Sequence, residues 1–168
     1  MNQPRTRLIR TPMLPDRKTP AHQPVFDHGN RSSIIFVTVC TKERKPILAN
    51  TEVHKLLLES WQLANHYMIG RYVIMPDHIH LFCAPAVNER NSIRKWIQYW
   101  KSQASKKWPK LEEHPIWQPE AWDRQLRSGE SYSEKWAYVS NNPVRHKLVI
   151  KPEEWEFQGE MNQLLWHD

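Results

Sequence analysis

Val73-Ile74-Met75-Pro76-Asp77-His78-Ile79-His80-Leu81-Phe82-Cys83 is an apolar run that halts at a Pro-Asp pair and resumes with two histidines one hydrophobic residue apart. Proline fixes its own φ and, followed by aspartate, marks a tight connection between two extended segments. Successive side chains of a strand alternate faces, so His78 and His80 share one face while Ile79 and Leu81 share the other. At a rise of ~3.3 Å per residue the two histidines are roughly 7 Å apart along the backbone, near enough for their rings to close on one metal ion. Nine histidines in 168 residues also produce such pairs by chance. The residues alone therefore leave two readings, a packed pair or a metal-binding one.

Working outward, Ser33 to Cys40 is rich in β-branched residues and apolar on both faces, the pattern of a central strand. Asn50 or Thr51 caps a helix in which Val53, Leu56, Leu57, Ser60, Trp61 and Ala64 recur at helical spacing, with Gly70 closing it. Arg71 to Met75 then forms a second strand, and His78 to Ala84 a third paired antiparallel with it across Pro76-Asp77. A second helix starts at Asn91 or Ser92, with Ile93, Trp96, Ile97, Trp100 and Ala104 as its apolar stripe. Arg94 and Lys101, seven residues apart, lie together on another face, either as a solvated surface or as phosphate contacts. A short strand-like stretch from Trp122 to Arg127 follows. The order strand, helix, strand, strand, helix, strand predicts an α+β fold, a ferredoxin-like (RRM-like) antiparallel sheet with helices on one face.

Ser128 to Asn142 reads as a third helix, capped by Ser128, with Glu130 in its first turn and its end set by Pro143. Tyr138 and Asn142 stand one turn apart on it. By themselves they are an ordinary packing tyrosine and a helix-terminal asparagine. Residues 1–30 hold five of the thirteen prolines and show no period, which makes them an extended arm, either disordered or touching nucleic acid. Residues 31–149 form the body. Residues 150–168, with Trp155, Phe157, Leu164, Leu165 and Trp166, form a C-terminal tail that packs back over the body or over the site.

The length suits one domain. The net charge of +6 and pI near 9.4 make a polyanion the first partner to consider, although solubility alone also accounts for them. Nine tryptophans are present, several beside basic residues, a composition that serves either a core or single-strand stacking. Cys40 and Cys83 end apolar runs and read as buried thiols in a reducing compartment. No apolar run reaches membrane-spanning length, and the basic N-terminus has no apolar secretory segment.

Met75-Pro76-Asp77-His78-Ile79-His80 resembles the HUH motif, and Tyr138-Val139-Ser140-Asn141-Asn142-Pro143-Val144-Arg145-His146 resembles the tyrosine helix of single-strand DNA transposases. With Pro46-Ile47-Leu48, Trp117-Gln118 and Trp122-Asp123-Arg124 also in place, residues 31–156 resemble the REP-associated tyrosine transposases. The resemblance implies an HUH endonuclease fold and a metal-dependent nuclease and strand transferase acting on single-stranded DNA with hairpins. It implies that Tyr138 is the nucleophile, giving a 5′-phosphotyrosine link, and that His78, His80 and Asn142 hold Mg²⁺ or Mn²⁺, Mn²⁺ suiting two imidazoles better. Phenols ionise near pH 10, about three units above neutrality, so a metal and basic surroundings help such a nucleophile. Arg94, Lys101, Arg124, Arg127 and Arg145 are the phosphate-contact candidates. Asp77 serves the turn or orients a histidine.

The same resemblance implies a bacterial cytoplasmic protein associated with the nucleoid and no membrane. A monomer is expected, with a homodimer exchanging the tyrosine helix as the alternative. Relatives often carry glycine where this chain has Lys147, which bears on a turn beyond the site. Two other functions remain open at this level. One is a regulator that keeps the fold and binds DNA without cutting; the other is a hydrolase in which the histidines activate water through a metal and Tyr132 or Tyr138 only packs.

Overall fold

The computed structural model describes residues 33–86 and 92–166, so the arm expected over residues 1–30 lies outside the described residues. Strands β1 (Ile35–Thr41), β2 (Tyr67–Ile74), β3 (His78–Pro85), β4 (Trp117–Gln125) and β5 (Gln158–Glu160) form one antiparallel sheet in the order β4-β1-β3-β2-β5. Helix α1 (Thr51–Leu63) joins β1 to β2, and α2 (Ile93–Lys106) joins β3 to β4. This is the expected ferredoxin-like arrangement with one strand added beside β2. Helices α3 (Tyr132–Ser140) and α4 (Asn142–Arg145) follow β4. Among the described residues no helix is long and apolar enough to cross a membrane.

Period-2 alternation sorts the sheet into two faces. Val37, Val39, Tyr72, Ile74, Ile79, Leu81 and Cys83 point to one face and pack against Val53, Leu57, Trp61, Trp96, Ile97 and Trp100 of α1 and α2 in the larger core. Phe36, Val73, Met75, Phe82 and Ala84 point to the other, under Tyr132, Trp136 and Val139 of α3 and under Leu164. Burying each Leu, Ile, Val or Phe contributes roughly 1.5–3 kcal/mol, so the larger cluster dominates the stability. Trp96, Trp100 and Trp108, all neighbours of basic residues in sequence, are core residues. Both cysteines are buried free thiols.

The helix starts follow local chemistry. The Asn50 side chain accepts a hydrogen bond from Val53 N, and that of Ser92 from Lys95 N, each satisfying an amide with no partner inside its helix. The third helix begins three residues later than the sequence suggests. Its cap is Ser131, which accepts from Glu134 N, because the Glu130 carboxylate instead takes the Arg127 backbone N–H and the Arg124 guanidinium and holds residues 127–130 in a turn.

Two further expectations are corrected. Gly70 does not close α1, which ends at Leu63; it lies within β2. A Cβ there would stand 2.7 Å from Leu164 Cδ1 and 2.8 Å from Tyr132 Oη, so its role is to let the C-terminal segment and α3 approach the strand. β4 begins at Trp117 and runs through Pro119, which the sheet tolerates because β4 is an edge strand. In the C-terminal segment Gln158–Glu160 form β5, and Trp155 Nε1 donates to Ile74 O, so residues 150–166 pack onto the body, one of the two readings of this segment.

Lys147 takes the left-handed conformation that glycine holds most easily (φ 59), with its N–H donating to Val144 O and that of Leu148 to Pro143 O. The Cβ costs about 1 kcal/mol in this region. Lys147→Gly is expected to offset that cost and raise the urea midpoint slightly; an unchanged or lowered midpoint would show that the turn does not need the glycine.

Candidate active site

The Pro76-Asp77 connection closes a hairpin in which Met75 N donates to His78 O. The ends of neighbouring segments clamp it from outside, Thr41 N bonding Asp77 O and Leu48 N bonding Pro76 O. This fixes the start of β3, so alternation delivers His78, His80 and Phe82 to the face covered by α3. The two imidazoles meet with ring centroids 4.7 Å apart.

Each ring is anchored through the same nitrogen. His78 Nδ1 lies 2.7 Å from Asp77 Oδ1, and His80 Nδ1 lies 2.9 Å from the hydroxyl of Thr38, its cross-strand partner on β1. A carboxylate fixes the Nδ1–H tautomer of His78 and leaves the Nε2 lone pair free, the arrangement of a metal-ligating imidazole. His80 is further held by stacking on Phe36 at 5.4 Å. Asp77 is therefore more than a turn residue. It is itself held by Arg44, whose Nε donates to Oδ2 at 2.7 Å while Nη1 reaches Cys40 Sγ.

Burial is the main cause of both histidine shifts. It lowers His78 against the opposing pull of Asp77, and it lowers His80 to about 3 with help from the charges of His78, Arg145, Arg44 and His146. Burial would raise the Asp77 carboxyl, but its hydrogen bond to His78, the charge of His78 and Arg44 hold it below the usual range. His78 is then neutral and able to ligate somewhat below pH 6.5, the value of a free imidazole, and His80 well below it. Protons compete for a ligand only below its pKa. The affinity for Mn²⁺ is accordingly expected to stay flat as pH falls through 6.5, where free imidazole would start to lose it; a tenfold drop per unit beginning at 6.5 in a titration would contradict this.

Asp77→Asn keeps the size of the side chain and removes the charge that favours the Nδ1–H tautomer. A 10–100-fold weaker Mn²⁺ affinity is expected, by analogy with other such supporting carboxylates. Calorimetric titration of the variant checks this, and wild-type affinity would return Asp77 to a turn role.

Among the described residues no group of three or more His, Cys, Asp or Glu is placed to hold a metal ion. A third donor must come from another residue type, and Asn142 is the nearest by chemistry, a buried carboxamide at the start of α4. Its Nδ2 donates to Val139 O, and its Oδ1 accepts from Arg145 at 2.6 Å. The same Arg145 guanidinium lies 4.1 Å from the centre of the Tyr138 ring, a stacked cation–π pair. Tyr138 is 57% exposed, whereas Tyr132 and Val139 form the buried stripe of α3. Two imidazoles and one carboxamide oxygen are donor types that suit a divalent ion, and the carboxamide oxygen is engaged by Arg145.

α3 lies on its own chain's sheet, with Tyr132 packed edge-on against Phe82 at 5.0 Å. Arg145 touches both Asn142 and Tyr138, its charge reaches His80, and its neighbour His146 faces His78. The remaining basic candidates are elsewhere or engaged. Lys101 is buried, with Nζ donating to Gln118 O and Pro119 O; burial lowers its ammonium to about 8 against the raising influence of Glu120 and Cys40. It ties α2 to β4 and presents no charge to a phosphate, which corrects the sequence reading. Arg94 pairs with Glu120 and Arg124 with Glu130, while the Arg127 side chain is exposed.

Three residues at the site escape a sequence reading. Thr38 is signalled only by its register opposite His80. Arg44 reaches Asp77 because Glu43 and Arg44 both take φ 57, a left-handed turn without glycine that no local pattern announces. His146, with its ring 6.3 Å from that of His78, had the motif His-adjacent position as its sole signal.

Residues 31–142 match the family described as transposase, IS200 like. The chain is 26% identical over 143 residues to a provisionally assigned REP-associated tyrosine transposase of Haemophilus influenzae, covering 77% of this chain and 80% of that one. It is 24% identical over 124 residues to a REP-associated tyrosine transposase of Escherichia coli, covering 73% of each. A solved REP-associated tyrosine transposase bound to a REP hairpin superposes with a TM-score of 0.62 at 21% identity, over 81% of both chains, and has the same fold.

Proposed function

We propose, from the premise that this chain belongs to the IS200-like transposase family, that it is a metal-dependent endonuclease and strand transferase acting on single-stranded DNA beside a hairpin. What supports this reading is that His78 and His80 share one sheet face with their Nδ1 atoms held by Asp77 and Thr38, and that Arg145, whose charge acts on His80, touches both Asn142 and Tyr138. The hairpin comes from the solved relative, which is bound to one.

Tyr138 Oη attacks the scissile phosphorus. A phosphotyrosine bond forms, the bond to the 3′ oxygen breaks, the phenol proton passes to solvent and the departing oxygen leaves as a 3′-OH. The link conserves the phosphodiester, so a 3′-OH can later attack it and rejoin DNA without an external energy source. His78, His80 and Asn142 would hold Mg²⁺ or Mn²⁺, which would polarise the phosphate and stabilise the charge developing on its oxygens. Arg145 occupies Asn142 Oδ1 in the structure. A phosphate oxygen is a stronger partner for a guanidinium than a carboxamide is, so bound DNA draws Arg145 away and frees that oxygen.

Incubating the protein with labelled hairpin DNA and Mn²⁺ is expected to give a protein–DNA adduct that survives denaturing electrophoresis. Tight binding with intact strands under both Mg²⁺ and Mn²⁺ would instead identify a DNA-binding regulator of the same fold.

A further inference from the structure

Between β2, the start of α3 and the segment after β5 lies a cavity of about 410 Å³ whose lining includes Arg71, Tyr132, Glu160, Gln163 and Trp166. The reaction described above uses none of them. Gly70 permits the cavity, since any side chain there would collide with Leu164 and Tyr132, which form its inner wall.

The chemistry is that of a base-reading site. The Arg71 guanidinium lies 5.2 Å from the Tyr132 ring centre and 5.8 Å from that of Trp136, a planar cation stacked among aromatic rings. Its Nε is 3.6 Å from Glu160 Oε1, beyond hydrogen-bond length, which leaves donor and acceptor both able to reach a third group. Unpaired bases are recognised by stacking on aromatic or guanidinium planes and by hydrogen bonds to their edges, and the Watson–Crick edge of every base offers both donors and acceptors.

Position adds a second argument. Val73 is the cross-strand partner of His80, and Arg71 lies two residues further along β2 on the same face. One strand spacing of ~4.8 Å and two rises of ~3.3 Å put the Arg71 backbone roughly 8 Å from that of His80. Tyr132 and Tyr138 are six residues apart on α3, about 9 Å at 1.5 Å per residue. A strand passing Tyr138 has the cavity within reach of a neighbouring nucleotide.

We propose that this cavity is a nucleobase subsite, which takes and reads one unpaired nucleotide of the strand to be cut. It rests on the transposase reading of Tyr138 and the histidines.

The test is an anisotropy titration of the full chain with a hairpin oligonucleotide carrying a single-stranded flank, each flank nucleotide being replaced in turn by an abasic one. The wild type is expected to lose about tenfold in affinity at one flank position, within the range for one stacked base. In Arg71→Met and Glu160→Gln that penalty shrinks to under about twofold, while penalties at other positions stay, since a lost base contact is specific to its base. Glu160 and Gln163 are exposed, so Glu160→Gln and Gln163→Ala carry the test if Arg71→Met fails to fold. A flat wild-type profile, or variants that keep the wild-type profile, overturns the subsite. If the wild type still forms the adduct in either case, the subsite alone fails and the Tyr138 chemistry stands; neither binding nor adduct overturns both.

Discussion

Tyr138→Phe is expected to fold, to bind hairpin DNA as the wild type does and to form no adduct, with cleavage reduced on the order of 10³-fold or more, as losing a nucleophile does elsewhere. The fold has little stake in the hydroxyl. Tyr138 is 57% exposed, and its described contact is the Arg145 guanidinium over the ring face, which phenylalanine retains. Surface changes of this kind shift stability by only about 0.5 kcal/mol. Measuring the adduct and the cut strand separately distinguishes the mechanisms. Cut strands without adduct in both proteins would identify a hydrolase that activates water, with Tyr138 merely packing. Cleavage that persists in the variant removes Tyr138 from the reaction.

The second large effect is expected from His78→Ala combined with His80→Ala. Mn²⁺ binding, followed by the resonance signal of free Mn²⁺, should vanish, and cleavage should fall with it. Two of the three proposed donors are gone, and the remaining Asn142 is held by Arg145. The structural cost is modest. Asp77 and Arg44 keep each other as partners, and the loss of His80 removes one stack on Phe36, about 1–3 kcal/mol for the pair. A circular dichroism melt separates unfolding from metal loss. Unchanged Mn²⁺ affinity in a folded double variant would show that the metal binds elsewhere.

The sheet was legible because its signals are local. β1 and β3 announce themselves by β-branched and alternating residues, and α1 and α2 by caps and a clean stripe. The family resemblance to REP-associated tyrosine transposases likewise rested on short motifs, and the fold and relatives agree with it. What failed turned on where particular side chains go, which residue type and spacing do not show. Ser128 and Ser131 are both good caps, and the choice between them depends on where the Glu130 carboxylate goes. Lys101 repeats the spacing of a solvated face, yet the β4 carbonyls that capture its ammonium are seventeen and eighteen residues away. Gly70 ends the polar stretch after α1 and so mimics a helix stop, whereas its reason is a leucine more than ninety residues downstream.

The site divides in the same way. His78 and His80 could be paired from their spacing, since a strand fixes which side chains share a face. The supports of those rings could not. Thr38 depends on strand register, and Arg44 on two consecutive left-handed residues that lack glycine.

The two-faced sheet has a consequence for how such a protein ages. The cluster that dominates stability lies beneath α1 and α2, whereas the histidines and α3 occupy the opposite face. Loss of the Tyr138 hydroxyl would leave the folded body almost undisturbed, so the requirement to fold places no demand on it. Stability and the proposed chemistry can therefore change independently in this chain.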